Sequence, residues 1–461
     1  MEENKKSLTL KQKIGYGLGD AGGVMTFALM GSTFSMYCTD ALGISASMIG
    51  VLLLIWNIWD FINDPIMGAW IDKAFARNSN PKGKFRPWIL RSTPMMCVAF
   101  IALWSVPSLF EGLARLCMLF GLKILYEGAY TMFNIPMGSL LSAMADNDAE
   151  RASLSSARGV GSAVPTLISL FIMPLFLKKY GETNATGYAI GAAVCALIGF
   201  VMCLAHYAMT EERNNTESRP EDADNIKVSD ILGVMRTNRP FVALCVHGVF
   251  ICMMQYVWST LGNYMYSDVL GDISISGYGT LLSAPFMIII FITGPILAKK
   301  IGLEKLIRYG LLGSCLLFIA LFITTMVTDI NPWVYAVWTN TAMGFANISI
   351  YMQWGLVGEA IDYNEMITGK RTEGSIYGTF NLSRRVGQTI GNSAAMLLLG
   401  WVGYSGASAV QSAATVTGIK ALSVLLPGIL VLGSWAAFKY VWNMDDEMRA
   451  SVDAFKSGKK A

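Results

Sequence analysis

The stretch from Trp59 to Gly68 holds the side chains most out of place in this sequence. Asp60, Asn63 and Asp64 lie inside an apolar run, Met48 to Ile71, that is long enough to cross a bilayer. On a helix, residues four apart share a face, so the two carboxylates stack with the Asn63 amide beside them. A charged group at mid-membrane costs roughly 2.5–3.5 kcal/mol on insertion scales. Two acids on one face therefore demand a bound cation, a proton, or a basic side chain on a neighbouring helix. Ion or substrate binding is the default reading of acids in such a place. The alternative is an architectural pair buried against a Lys or Arg.

Other titratable groups are weaker candidates. Lys123 and Glu127 are also four apart and are read first as neutralising each other, although Glu127 lies one turn before Thr131 and would extend its polar face. Glu359, Asp362 and Glu365 stand close in sequence to Lys370 and Arg371, and Asp72 to Lys84 and Arg86. Both sets fit ion-pair gates at helix ends; for the first, surface acids are an equal alternative. His206 and His247 are single and read as packing residues. Tyr351 and Gln353 are candidates to line a cavity. Pro65 and Pro136 follow polar clusters, where each removes a helix hydrogen bond and can bend its span. The sequence has no HExxH, no GxSxG and no complete P-loop, since Gly369-Lys370 is followed by Arg371. An enzyme is the weakest reading.

The elements that must hold these residues are membrane helices. Apolar residues make up 54% of the chain and charged ones 15%, and the mean hydropathy of +0.47 lies far from soluble domains. Spans of membrane length recur about twelve times: near 15–38, 47–71, 89–108, 113–141, 158–177, 186–208, 241–266, 274–297, 305–327, 332–358, 376–403 and 418–441. The expected organisation is a six-helix bundle over 1–209, a polar connector over 210–239, a second six-helix bundle over 240–445, and a tail over 446–461. The net charge of +3 gives no reason to expect nucleic acid. The cysteines are scattered without a CxxC pair and read as reduced packing residues. Met1 to Lys13 is polar and basic, a cytoplasmic tail before an uncleaved first span. Lys and Arg concentrate in that tail, in the loop after the second span and in the loop after the eighth, which places both termini inside. Arg115, Lys178, Lys179 and Lys420 break the pattern.

Gly68 to Lys73 after the second span and Gly294 to Lys300 after the eighth share a glycine, a short spacing and bases entering a turn. This pattern resembles the loop motif of the major facilitator superfamily. Its return six spans later implies duplicated halves with a site at the midplane between them.

More specific segments resemble the glycoside–pentoside–hexuronide:cation symporter family. They are Tyr16 to Asp20, Trp59 to Pro65, Lys82 to Pro87, Tyr130 to Pro136, Glu150-Arg151 with Leu154 and Arg158, Asp362 to Glu365 through Gly369 to Gly374, and Arg384 to Gln388. They cover about residues 12 to 404 in family order. The resemblance implies an all-α membrane protein of the major facilitator fold. Twelve helices in two bundles would move a sugar with Na+, Li+ or H+. It carries the cation site onto Asp60, Asn63, Asp64 and Thr131, all with oxygen-bearing side chains, as a hard monovalent ion requires. A proton would need only one acid with a raised pKa. Na+ is the first expectation and H+ the second, with no resident cofactor.

The resemblance puts Asn134, Arg158, Asn381 and Arg385 in the sugar site, with Asp20 nearby. Where the melibiose permease branch has two acids and a tryptophan, this chain has Val24, Asn134 and Gly138. The loss of two acids argues for a more positive site, and Arg384-Arg385 with Gly387-Gln388 is most similar to the glucuronide-carrier branch. The expected function is therefore cation-coupled uptake of a glycoside, a glucuronide or other acidic sugar first, by a monomer in the bacterial cytoplasmic membrane. A neutral oligosaccharide or pentoside symporter and a drug:proton antiporter of the same superfamily are the alternatives.

Overall fold

The computed structural model describes residues 8–59, 63, 83, 85–145, 148–213, 237–369, 373–408 and 410–458. Every expected span coincides with a helix over its described part, and no strand occurs among the described residues. In chain order these are α1 (Leu10–Met30), α2 (Ala46–Trp59), α3 (Arg86–Ser105), α4 (Gly112–Met144), α5 (Asp148–Tyr180) and α6 (Ala185–Met209). After the connector come α7 (Arg239–Tyr264), α8 (Ser274–Ile301), α9 (Leu303–Val327), α10 (Pro332–Thr368), α11 (Glu373–Trp401) and α12 (Ala413–Val441). Among the described residues, 8 helical spans are long and apolar enough to cross a membrane by composition alone. Three long helices, α1, α10 and α11, are not among them, because they carry polar side chains such as Asp20, Gln353 and Arg384.

Local signals fix where the helices start. Thr9 and Gln12 close a capping box on α1. The side chains of Asn184, Asn238 and Asn331 each accept a backbone N–H in the first turn of α6, α7 and α10. α10 stops at Gly369, whose φ of 69° suits a residue without a side chain.

The chain divides into two compact units. The first is Met1–Glu217 together with Asp272–Tyr278 and Ser405–Ala409; the second is the remainder. Within the first, α1 packs closely against α5 and α6. A side chain at Gly161 would collide with the Gly17 carbonyl, and one at Gly22 with Gly199 and Cys203. An aromatic cluster packs within this unit: the Phe34 ring lies 5.7 Å from Trp104 and 5.9 Å from Trp56, and Tyr37 lies 5.3 Å from Tyr188. Within the second, α7 packs against α11 in the same manner, Gly387 against the Val249 carbonyl and Gly391 against that of Met253.

A stronger sign of duplication than the two loop segments lies at the ends of α1 and α7. α7 runs directly into a π-helical turn, Met265–Val269, and the short helix Phe34–Met36 that follows α1 runs into another, Tyr37–Ala41; a leucine and then a glycine at φ 72° or 66° follow each. Gly68 to Lys73 lies outside the described residues apart from its sequence.

The start of the connector and the tail carry structure of their own. The connector does not begin as a free linker at Thr210. The Arg213 N–H donates to the Ala143 carbonyl, its guanidinium sits 3.1 Å from Glu150, and Glu212 accepts the N–H groups of Phe85 and Arg86 at 2.8 and 2.7 Å. The tail folds as a further helix, α13 (Asp446–Gly458), held to α10 by the Arg449–Glu359 pair at 3.2 Å. Pro136 lies within α4, which continues through it. All described cysteines are free thiols, and every one except Cys117 is buried or nearly so.

Candidate functional site

In the first unit, α1 and α5 bring an acid and a base together. Arg158 Nε donates to Asp20 Oδ1 at 2.8 Å, and the Ser162 hydroxyl donates to the other carboxylate oxygen. Asp20 is buried and the Arg158 side chain is 36% exposed, so the carboxylate is enclosed while the guanidinium keeps access to a ligand. The close α1–α5 contact at Gly17 and Gly161 permits this reach. Tyr16 stands one turn before Asp20, and its hydroxyl donates to the Met137 carbonyl at 3.2 Å. The sequence pointed to Asp20 and Arg158 but gave no signal for Ser162, whose spacing of four from Arg158 was the only available clue.

Thr131 is buried on α4, and Asn134 sits half-buried three residues on, on the same face. Asn63 is 7% exposed, and its Nδ2 is buried without a hydrogen-bond partner among the described residues. Asn57, on α2, has an Nδ2 in the same condition. A buried amide lacking a partner costs about 1–3 kcal/mol, which a ligand removes. Asp60, Asp64, Asp72 and Arg371 lie outside the described residues.

Lys123 and Glu127 form the expected ion pair on α4, with side chains 8% and 12% exposed. The Lys123 ammonium also lies 5.7 Å from the Trp56 ring centroid, so the pair is braced against α2. His206 is bound to the Gly15 carbonyl at 2.8 Å, and His247 to the Ser434 hydroxyl, in keeping with packing roles.

The second unit holds the remaining substrate candidates. Asn381 and Arg385 are both exposed on α11, four apart. Arg384, which the sequence offered only as Arg385's neighbour, is half-buried, with its guanidinium carbon 5.5 Å from the Trp354 ring centroid.

Of the gate candidates, Arg86 donates to the Tyr207 carbonyl at 2.5 Å and lies 4.6 Å over the Tyr207 ring. Glu359 pairs with Arg449 of α13 rather than only with sequence neighbours, and Asp362 is half-buried on α10. The bases that broke the charge pattern are each engaged. Arg115 donates to the carbonyls of Phe110 and Leu42, Lys178 to Asp272 and Ser274, and Lys420 to the Thr325 carbonyl, while Lys179 lies over Tyr180.

Comparison with known proteins agrees with this architecture. The family model described as MFS/sugar transport protein matches residues 15–441. The uncharacterized symporter YjmB of Bacillus subtilis (strain 168) is 28% identical over 453 residues, covering 98% of this chain and 96% of the relative. The glucuronide carrier protein homolog of Escherichia coli (strain K12) is 28% identical, with 95% and 93% covered. A putative sulfoquinovose importer of the same organism is 25% identical, with 96% and 93% covered. Among solved structures, the D-xylose-proton symporter aligns with a TM-score of 0.62 at 14% identity, over 94% of this chain and 98% of that one.

Proposed function

Because the chain belongs to the MFS/sugar transport protein family, and is thereby a multi-pass membrane transporter of the major facilitator fold, we propose that it couples glycoside uptake to a cation. The cargo is a glycoside, with an acidic one preferred, carried by a monomer in the bacterial cytoplasmic membrane with both termini inside. The observation that carries this reading is the Asp20–Arg158–Ser162 array. An enclosed carboxylate and a partly open guanidinium offer an acceptor and a fork of donors side by side, which suits adjacent sugar hydroxyls. The names of the relatives, a glucuronide carrier homolog and a sulfoquinovose importer, support a sugar as cargo.

Cation coupling rests on the acids of the second span together with the orphaned Asn63 amide, which presents its oxygen when turned over. Asp60, Asn63, Asp64 and Thr131 supply oxygens for Na+, and H+ is the second candidate. Ion binding neutralises the acids, so the loaded site is cheaper to enclose. Ion and sugar then strengthen each other's binding by roughly 1–3 kcal/mol.

A neutral glycoside is the second reading, favoured by one observation: the charge of Arg158 is already balanced by Asp20. Counterflow of radiolabelled glycosides in proteoliposomes, with Na+, Li+ or a pH gradient supplied in turn, tests both. Uptake should require one of these ions, and Asp64→Asn should abolish that requirement. Unchanged ion stimulation in Asp64→Asn would overturn the coupling assignment.

A further inference from the structure

The two units repeat one helix crossing, and the copies differ at the residue placed to meet the arginine. In the first, Gly161 of α5 lies against the Gly17 carbonyl of α1. Arg158 comes three residues before that glycine, Asp20 three residues after Gly17, and the two are bonded. In the second, Gly387 of α11 lies against the Val249 carbonyl of α7. Arg384 comes three residues before that glycine, and Cys252 three residues after Val249. The sequences agree as well, Arg158-Gly159-Val160-Gly161 beside Arg384-Arg385-Val386-Gly387. Cys252 thus occupies the place that Asp20 holds in the other copy.

The consequence, among the described residues, is an arginine without a carboxylate partner. Among the described residues no carboxylate pairs with Arg384, and its Nε is buried without a hydrogen-bond partner. The Cys252 thiol lies within hydrogen-bond reach of the guanidinium, and the Trp354 face lies beside it. An uncompensated cation within a membrane-spanning helix is costly, and such a residue persists where function needs it. The missing negative charge then arrives with the cargo.

We propose that Arg384 receives a carboxylate carried on the transported sugar, the guanidinium taking both oxygens while Trp354 flanks the ring. This rests on the glycoside reading and extends it. Within the second unit the guanidinium is open to an anion because Cys252, unlike Asp20 in the other copy, brings no charge.

The test uses two probes that differ only at the terminal carbon of the sugar, methyl β-D-glucuronide and methyl β-D-glucoside. Each competes for uptake by the full chain in proteoliposomes. The wild type should favour the glucuronide, and Arg384→Gln should lose on the order of tenfold of that preference, as removal of a charge-assisted hydrogen bond predicts, while glucoside uptake persists. Arg384→Lys should restore part of it. Cys252→Asp should abolish the preference with Arg384 still present, because an internal carboxylate then occupies the guanidinium; Cys252→Ser should not. Retention of the wild-type preference in both Arg384→Gln and Cys252→Asp would overturn the proposal, as would a wild type that favours the glucoside. Transport of neither sugar by the wild type would remove the glycoside reading itself.

Discussion

Lys123 and Glu127 show how a charged residue is kept inside a membrane helix. Their side chains are nearly enclosed, they neutralise each other, and the ammonium also meets the Trp56 ring. Lys123→Met alone strands Glu127 in an apolar setting and should cost about 3–5 kcal/mol of stability. The double variant Lys123→Met with Glu127→Gln should recover most of that loss. Thermal unfolding of the detergent-solubilised protein compares the two; equal destabilisation would show that the pair is not the source. Ser162→Ala makes a different kind of change, since it removes one donor from the Asp20 carboxylate. It should raise KM by roughly tenfold or more with little effect on the maximal rate, the change expected when a hydrogen bond worth about 1.5–3 kcal/mol serves binding rather than movement. Initial uptake rates across substrate concentration decide. At this scale the sequence was legible wherever partners shared a helix, as Lys123 and Glu127 do. It was silent about partners on different helices. That is why Ser162 escaped notice and why the unpaired state of Arg384 had to wait for the helix packing.

Helices in this chain are placed by glycine contacts as much as by apolar faces. Gly161 and Gly387 allow α5 and α11 to press against backbone carbonyls of α1 and α7. Gly161→Val or Gly387→Val forces those crossings apart, at about 1–3 kcal/mol from overpacking. Because each glycine lies one turn from an arginine proposed to meet cargo, transport should fall further than stability does. Paired unfolding and uptake measurements would reveal it, and a variant with lowered stability but full uptake would contradict it. The spans themselves were legible because long apolar runs leave few alternatives. Helix starts were legible in part, through Asn184, Asn238 and Asn331. The π turns at Tyr37–Ala41 and Met265–Val269 were not, since nothing in residue periodicity separates a π turn from the α-helix it ends. Duplication was sensed from the loop motifs, yet its clearest trace lay in these turns and in the Arg-x-Val-Gly crossings.

At the level of the whole molecule, packing joins segments that lie far apart in the sequence. The first unit takes in Asp272–Tyr278 and Ser405–Ala409 from the later half of the sequence. Lys178 ties down the first of these by its 2.8 Å contact with Asp272. Partial burial raises the Asp272 carboxyl pKa, but hydrogen bonds from Lys178 and Ser274 outweigh it and hold the group below the ordinary carboxylate range. A lowered folded-state pKa gives stabilisation that is present above the unfolded value, near 4, and is lost as pH falls through the folded one. The difference in unfolding midpoint between the wild type and Lys178→Met should therefore be constant near neutrality and vanish in acid. A difference that persists at the lowest pH would contradict the assignment. Polarity also made a linker of Thr210 to Arg213, because hydrophilic residues spent on capping α3 and pairing with Glu150 look the same in sequence as solvated ones.

The placement of the thiols has a practical corollary. Apart from Cys117, which lies on a bilayer-crossing helix, every native sulfhydryl is shielded by neighbouring side chains. Charged maleimides that cannot enter lipid should leave the unaltered chain nearly unlabelled. A cysteine introduced at Asn381 would then be a lone reporter on a quiet background, its reaction rate rising or falling as cargo and ion come and go.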